Sequence, residues 1–176
     1  LYIFSMKLLI IFIYLITTNF SYALEKPDLK NLVLIKSPKT YEEVIFKDIN
    51  QKNVNLDDFK GKLIMLNFWA TWCAPCKEEM PSLDALQLNT KLYNLKIFPV
   101  NIDQEDKAKS ESFFKELNIQ NLEIYFDAPI TLAKKFSLRG VPTTIIFDKE
   151  GKEFARIIGS INFNDEEFIN WLKFYN

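Results

Sequence analysis

Cys73 and Cys76 are the only cysteines in the chain, two residues separate them, and there is no histidine anywhere. These facts narrow the chemistry. A structural zinc site needs about four Cys or His ligands, so the chain cannot build one. Covalent haem attachment needs Cys-x-x-Cys-His, and Lys77 stands where the His would be. A Cys–His or Ser–His nucleophile lacks its base. The two cysteines can therefore pair with each other, react with outside thiols, or do nothing. They follow the apolar run Leu63-Ile64-Met65-Leu66 and precede a helix-like segment, the setting in which Cys-x-x-Cys reads as a redox motif. The residues imply no metal and no cofactor.

A strand and a helix must position this pair. Leu63 to Trp69 is almost wholly apolar, as expected of a central strand covered on both faces, with Asn67 its one strongly polar residue. The helix after Cys73 is expected to run to about Tyr93, with Leu83, Ala85 and Leu86 facing the core. Pro75 fits its first turn, and Pro81 should kink it. Upstream, Val44-Ile45-Phe46, a turn over Asp48 to Lys52, and Val54 predict a β-hairpin. Leu56 to Phe59 predicts one helical turn. Downstream, the pattern predicts a strand over 96–100, a helix over 105–117 with Ala108, Phe113, Phe114 and Leu117 as buried candidates, an extended piece over 122–126, and a short helix over 130–136. Strands over 143–147 and 154–158 flank a turn at Asp148-Lys149-Glu150-Gly151, where Gly151 supplies a positive φ. A last helix is capped by Asn164, with Phe168, Trp171 and Leu172 on its apolar face. The alternation makes an α/β fold: a mixed sheet flanked by helices.

The 176 residues carry a net charge of −1 with acids and bases interspersed, so no basic stripe suggests nucleic acid. With 48% hydrophobic and 15% aromatic residues, the chain can fill one packed core. Met6 and Lys7, the apolar run Leu8 to Ile16, and Ser21-Tyr22-Ala23 follow the order of a secretory leader. Residues 1–23 are read as a signal peptide cleaved after Ala23, or as an uncleaved anchor, starting at Leu1 or, if residues 1–5 are an upstream extension, at Met6. No Arg precedes Arg139, which sets aside a mitochondrial presequence. Residues 24–43, with Pro27 and Pro38, read as a linker or arm, and 44–176 as the domain. Export would put the cysteines where disulfides persist.

At this point the chain resembles a family. Trp69-Ala70-Thr71-Trp72-Cys73-Ala74-Pro75-Cys76-Lys77 is similar to the active-site segment of the thioredoxin superfamily. Phe59-Lys60-Gly61-Lys62, Asn67-Phe68, Lys77-Glu78-Glu79-Met80-Pro81 and Gly140-Val141-Pro142-Thr143 resemble its exported TlpA/ResA-type branch. The likeness covers about residues 44–175. It implies a thioredoxin-like fold with a four- or five-stranded mixed sheet, here with the N-terminal hairpin added, and disulfide reduction outside the cytoplasm.

The resemblance also assigns roles. Cys73 is the nucleophile, Cys76 resolves the mixed disulfide, and the two form the redox disulfide. A thiol of ordinary pKa is only about 3% ionised at pH 7, but Cys73 opens a helix, whose N–H groups and dipole favour a thiolate. Cytoplasmic thioredoxins carry an Asp where this chain has Asn67, so Glu79 is assigned as the proton relay. Val141–Pro142 is expected to be cis and, with Trp72, Ala74 and Pro75, to receive substrate, while Trp69 belongs to the core. Ala74-Pro75 resembles reducing members. A peroxiredoxin is set aside because its Thr or Ser three residues before the reactive Cys is Ala70 here. The remaining alternatives are a non-catalytic binding or chaperone module, and a disulfide oxidase or isomerase. Expected partners are exported disulfide proteins, apocytochrome c or copper-site assembly proteins among them, and a membrane thiol electron donor. The chain is expected to act as a monomer in the bacterial periplasm.

Overall fold

A computed structural model describes residues 26–103, 106–127 and 129–176. The expected leader over 1–23 lies outside the described residues. Among the described residues no helix is long and apolar enough to cross a membrane.

The chain alternates strand and helix. Strands β1 (Leu32–Lys39), β2 (Ile45–Asp48) and β3 (Asn53–Asn55) lead through a 3-10 turn, Leu56–Phe59, to β4 (Leu63–Trp69). Helix α1 (Ala74–Gln87), a 3-10 turn (Thr90–Leu92), β5 (Leu95–Asn101), α2 (Lys107–Glu116) and β6 (Tyr125–Phe126) follow. The chain closes with α3 (Thr131–Lys135), β7 (Thr143–Phe147), β8 (Glu153–Ile158) and α4 (Glu166–Leu172). Among the described residues the eight strands join one sheet in the order β1-β8-β7-β4-β5-β6-β2-β3. β4 and β5 run parallel, as do β5 and β6, whereas β7 runs antiparallel to β4. The mixed sheet flanked by helices is the thioredoxin-like architecture that the motifs implied.

Strand β4 is buried at every position, and its alternation serves two cores. Leu63, Met65 and Trp69 join α1 (Met80, Leu83, Leu86), α2 (Phe113, Phe114) and α4 (Phe168, Trp171, Leu172) on one face. Ile64, Leu66 and Phe68 join Phe98, Ile145, Phe147, Leu132 and Phe136 on the other.

Several expectations need correction. Among the described residues the sheet has eight strands, not four or five. Part of it comes from the presumed arm over 24–43: residues 32–39 pair with β8 and bury Leu32. Pro38 concealed this strand, yet proline is tolerated on a sheet edge. The N-terminal hairpin forms as expected, and it extends the opposite edge by pairing with β6. Helix α1 stops at Gln87 because the N–H of Leu88 turns back to Ala85 and Leu86, and the Asn89 side chain caps a separate turn. Ala85 and Ala108 face solvent, while Asp84 and Ser110 are buried. Helix α2 begins after its cap Asp106, and only Tyr125 and Phe126 of the extended piece pair as strand. The last helix is capped by Asp165, whose side chain accepts from Phe168 N, rather than by Asn164.

Candidate active site

The end of β4 delivers the cysteines. After Trp69 the chain turns: Cys73 N–H bonds Ala70 O at 3.2 Å, and Cys73 becomes the N-cap of α1. Asp103, just past the end of β5, holds this turn by accepting from Thr71 N at 2.8 Å and Thr71 Oγ1 at 2.7 Å. Cys73 and Cys76 form a disulfide with a Cα–Cα distance of 5.3 Å, and Cys73 Sγ accepts from Cys76 N at 3.2 Å. A developing thiolate on Cys73 would meet that same N–H at the positive end of the helix. Cys73 is 3% exposed and Cys76 fully buried, so an incoming group meets Cys73 first.

Glu79 lies one turn beyond Cys76, on the same side of α1. It is 2% exposed. Its Oε1 accepts from Asn67 Nδ2 at 2.8 Å, and its Oε2 accepts from Ile161 N at 3.4 Å. Asn67 Nδ2 also donates to Thr144 Oγ1 at 2.9 Å. Burial pushes the Glu79 carboxyl up to about 7, against the pull of the Asn67 amide and the Ile161 N–H. A carboxyl poised there can take and return a proton near neutral pH. Glu79 is thus no solvated helix charge, and Asn67 is its direct partner.

Around Cys73 the surface is open. Trp72 is 72% exposed, and Ala74 and Pro75 are exposed. Val141–Pro142 is cis. In the antiparallel register Phe68 stands opposite Thr143, so Pro142 sits at the end of the sheet from which β4 reaches Cys73. Val141 packs against the core cluster that contains both cysteines. Trp69 is fully buried, its ring tilted against Phe113 at 4.5 Å and Phe114 at 5.5 Å between centroids. The structure therefore gathers Cys73, Cys76 and Glu79 along α1 and brings Val141 and Pro142 to the same end of the sheet. Sequence reasoning gave no role to Asp103, Thr144 or the Ile161 backbone. The available signal was weak: polar residues at the ends of apolar strands, where α/β sheets place their sites.

Among the described residues no cluster of His, Cys, Asp or Glu could hold a metal ion.

The AhpC/TSA family model matches residues 39–152. A thiol-disulfide oxidoreductase ResA from Bacillus thuringiensis is 33% identical over 115 residues, covering 65% of this chain and 65% of that protein. This chain therefore spans less than two thirds of the length of that relative. The ResA of Geobacillus kaustophilus is 31% identical over 128 residues, covering 73% of this chain and 72% of its own. Among solved structures, a DsbF homologue from Corynebacterium diphtheriae superposes with a TM-score of 0.66 at 24% identity, over 83% of this chain and 95% of that one. Its similarity speaks for the fold alone. On the match over residues 39–152 and the kinship with the ResA proteins, the chain belongs to the AhpC/TSA family of the thioredoxin superfamily.

Proposed function

We propose that this chain is an exported thiol–disulfide oxidoreductase that reduces disulfides of other exported polypeptides. One observation carries the reading: a Cys-x-x-Cys at a strand-to-helix junction, its first cysteine the less buried of the two, with a buried carboxyl one turn behind the second. Relatives named thiol-disulfide oxidoreductase support it.

In the reduced protein the Cys73 thiolate attacks a substrate disulfide. A mixed disulfide forms and one substrate thiolate leaves. Glu79 takes the proton of the Cys76 thiol, and the Cys76 thiolate attacks Cys73 Sγ. The second substrate thiolate leaves, and the Cys73–Cys76 disulfide remains. The substrate gains two electrons and the chain loses two. Trp72, Ala74, Pro75 and the cis Val141–Pro142 pair form the surface on which the substrate backbone rests. A thiol carrier in the membrane restores the dithiol. The leader-like residues 1–23 support work in the periplasm, either freed by cleavage near Ala23 or held by the segment. The likeness to ResA proteins favours substrates of the cytochrome c maturation type, with copper-site assembly proteins as the other class. The chain works as a monomer.

Insulin reduction tests the proposal. The native protein should turn over with dithiothreitol as reductant, and Cys73→Ser should abolish turnover. Cys76→Ser should accumulate the mixed disulfide. An inactive native protein sinks the reading. A potential near the roughly −120 mV of strong oxidants, rather than the roughly −270 mV of thioredoxin, would reverse its direction.

A further inference from the structure

Of the 22 basic residues only Arg139 and Arg156 are arginines, and both line one cavity of about 350 Å³ with Ser137, Leu138, Thr143 and Ile158. The cavity lies between the loop that leads into the cis proline and strand β8. Its strand residues Thr143, Arg156 and Ile158 lie on the sheet face of Ile145 and Phe136, opposite the face that packs α1.

The two arginines are in different states. Arg156 is engaged through four of its five N–H groups. Its Nε and Nη2 donate to the fully buried carboxylate of Glu153, its Nη1 to Phe136 O at 2.9 Å, and its Nη2 also to Tyr41 Oη at 3.3 Å. Its charge is balanced by Glu153, and its fork is fixed as a wall of the cavity. Arg139 is exposed and has no ion pair among the described residues. Thr143 has spent its hydroxyl on Gly140 O at 2.8 Å. The cavity therefore holds one uncompensated positive charge on a planar fork, the shape that grips a carboxylate through two parallel hydrogen bonds. Ile158, 49% exposed, gives the rim an apolar edge.

Position ties this charge to the redox site. Arg139 is three residues before Pro142, so the reach along an extended chain is at most roughly 10 Å. We infer that Arg139 selects substrates: it binds the carboxylate of a Glu or Asp lying about three to five residues from the cysteine that Cys73 attacks. The inference rests on the dithiol-exchange reading above and supplies its substrate class, an acidic polypeptide segment.

The test uses the full chain and three disulfide-bonded peptides that differ only in carrying Glu, Gln or Lys four residues from the attacked cysteine. At low salt the native protein should favour the Glu peptide over the Gln peptide by about two- to fivefold in kcat/KM, the scale of one solvent-exposed ion pair, and over the Lys peptide by more. Raised salt should erode the preference. Arg139→Gln should bring the three peptides together, and Arg139→Glu should reverse their order. Ratios within one variant cancel any loss of folded protein. An undiminished Glu preference in both variants overturns the inference. If the native protein reduces 2-hydroxyethyl disulfide but treats the peptides alike, the substrate class falls and dithiol exchange stands. If it reduces neither, both fall.

Discussion

At the residue scale the site turns on a carboxyl kept out of water beside an amide that cannot titrate. Burial raises Glu79 to about 7, so the folded chain holds a proton there that the unfolded chain, near 4.5, has released. Stability therefore falls as pH rises between those two values. The cost of the ionised carboxylate is absent below 4.5 and complete above 7, where it reaches roughly 3 kcal/mol. Glu79→Gln cannot titrate. In urea unfolding of the oxidised protein, the stability of the variant relative to native should improve by about that amount from pH 4.5 to pH 8. Other titrating groups are common to both proteins, so parallel pH curves would show that Glu79 has an ordinary carboxyl. The same proton has a kinetic face. In the proposed mechanism Glu79 is the base for resolution by Cys76, so turnover should fall below about pH 7 in the native protein, and the Gln variant should lose that limb. Glu79 was legible from its spacing to Cys76. Its contact with Asn67 was not, because it depends on the distance between β4 and α1, which only the packed structure sets.

At the element scale, α1 must hold Cys76 and Glu79 at fixed depth. Its apolar row of Cys76, Met80, Leu83 and Leu86 does so by burial. Asp84 does so by hydrogen bonds. It accepts from the backbone of Gln120, Asn121 and Leu122 and from Asn121 Nδ2, tying the helix to the approach of β6. An inward acid on an amphipathic helix reads from sequence as a solvated charge, which is why Ala85 was placed inward in its stead. The partners of Asp84 are backbone N–H groups almost forty residues on, and no local pattern announces them. By contrast β4, the hairpin of β2 and β3, and the turn at Asp148–Gly151 were legible, because apolar continuity and turn chemistry are local. Removing a carboxylate that satisfies several donors leaves them unpaired. Asp84→Ala should cost about 3 kcal/mol in denaturant unfolding, and Asp84→Asn, which keeps one acceptor, about half of that. A neutral Asp84→Ala would mean that water replaces the carboxylate at no cost.

At the scale of the whole molecule, the sheet is wider than the family resemblance implied because the segment before residue 44 folds onto it. Strand β1 covers β8 and buries Leu32, and beyond it Tyr41 crosses to the other core. Its ring packs edge-on 4.7 Å from Phe136 and 6.5 Å from Phe147, and its hydroxyl donates to Glu153. Glu153 in turn holds Arg156, which bonds Phe136 O, one residue before the loop into the cis proline begins. Tyr41 thus braces the loop that carries Val141 and Pro142. Burial and the neighbouring Glu153 push Tyr41 up to about 12, so its hydroxyl keeps its proton and donates at every pH where the protein works. The brace separates into two parts that mutation can resolve. Tyr41→Phe keeps the ring and leaves one acceptor site of Glu153 open, for a cost of about 1 kcal/mol. Tyr41→Ala also empties the space against Phe136 and Phe147, for about 3 kcal/mol. Urea unfolding should rank them in that order, with insulin turnover in the Ala variant weakened through KM more than kcat, because the loop proposed to receive substrate loses its support while the cysteines do not. A loose linker would leave both variants at native stability, and that result would return residues 24–43 to the status of an arm.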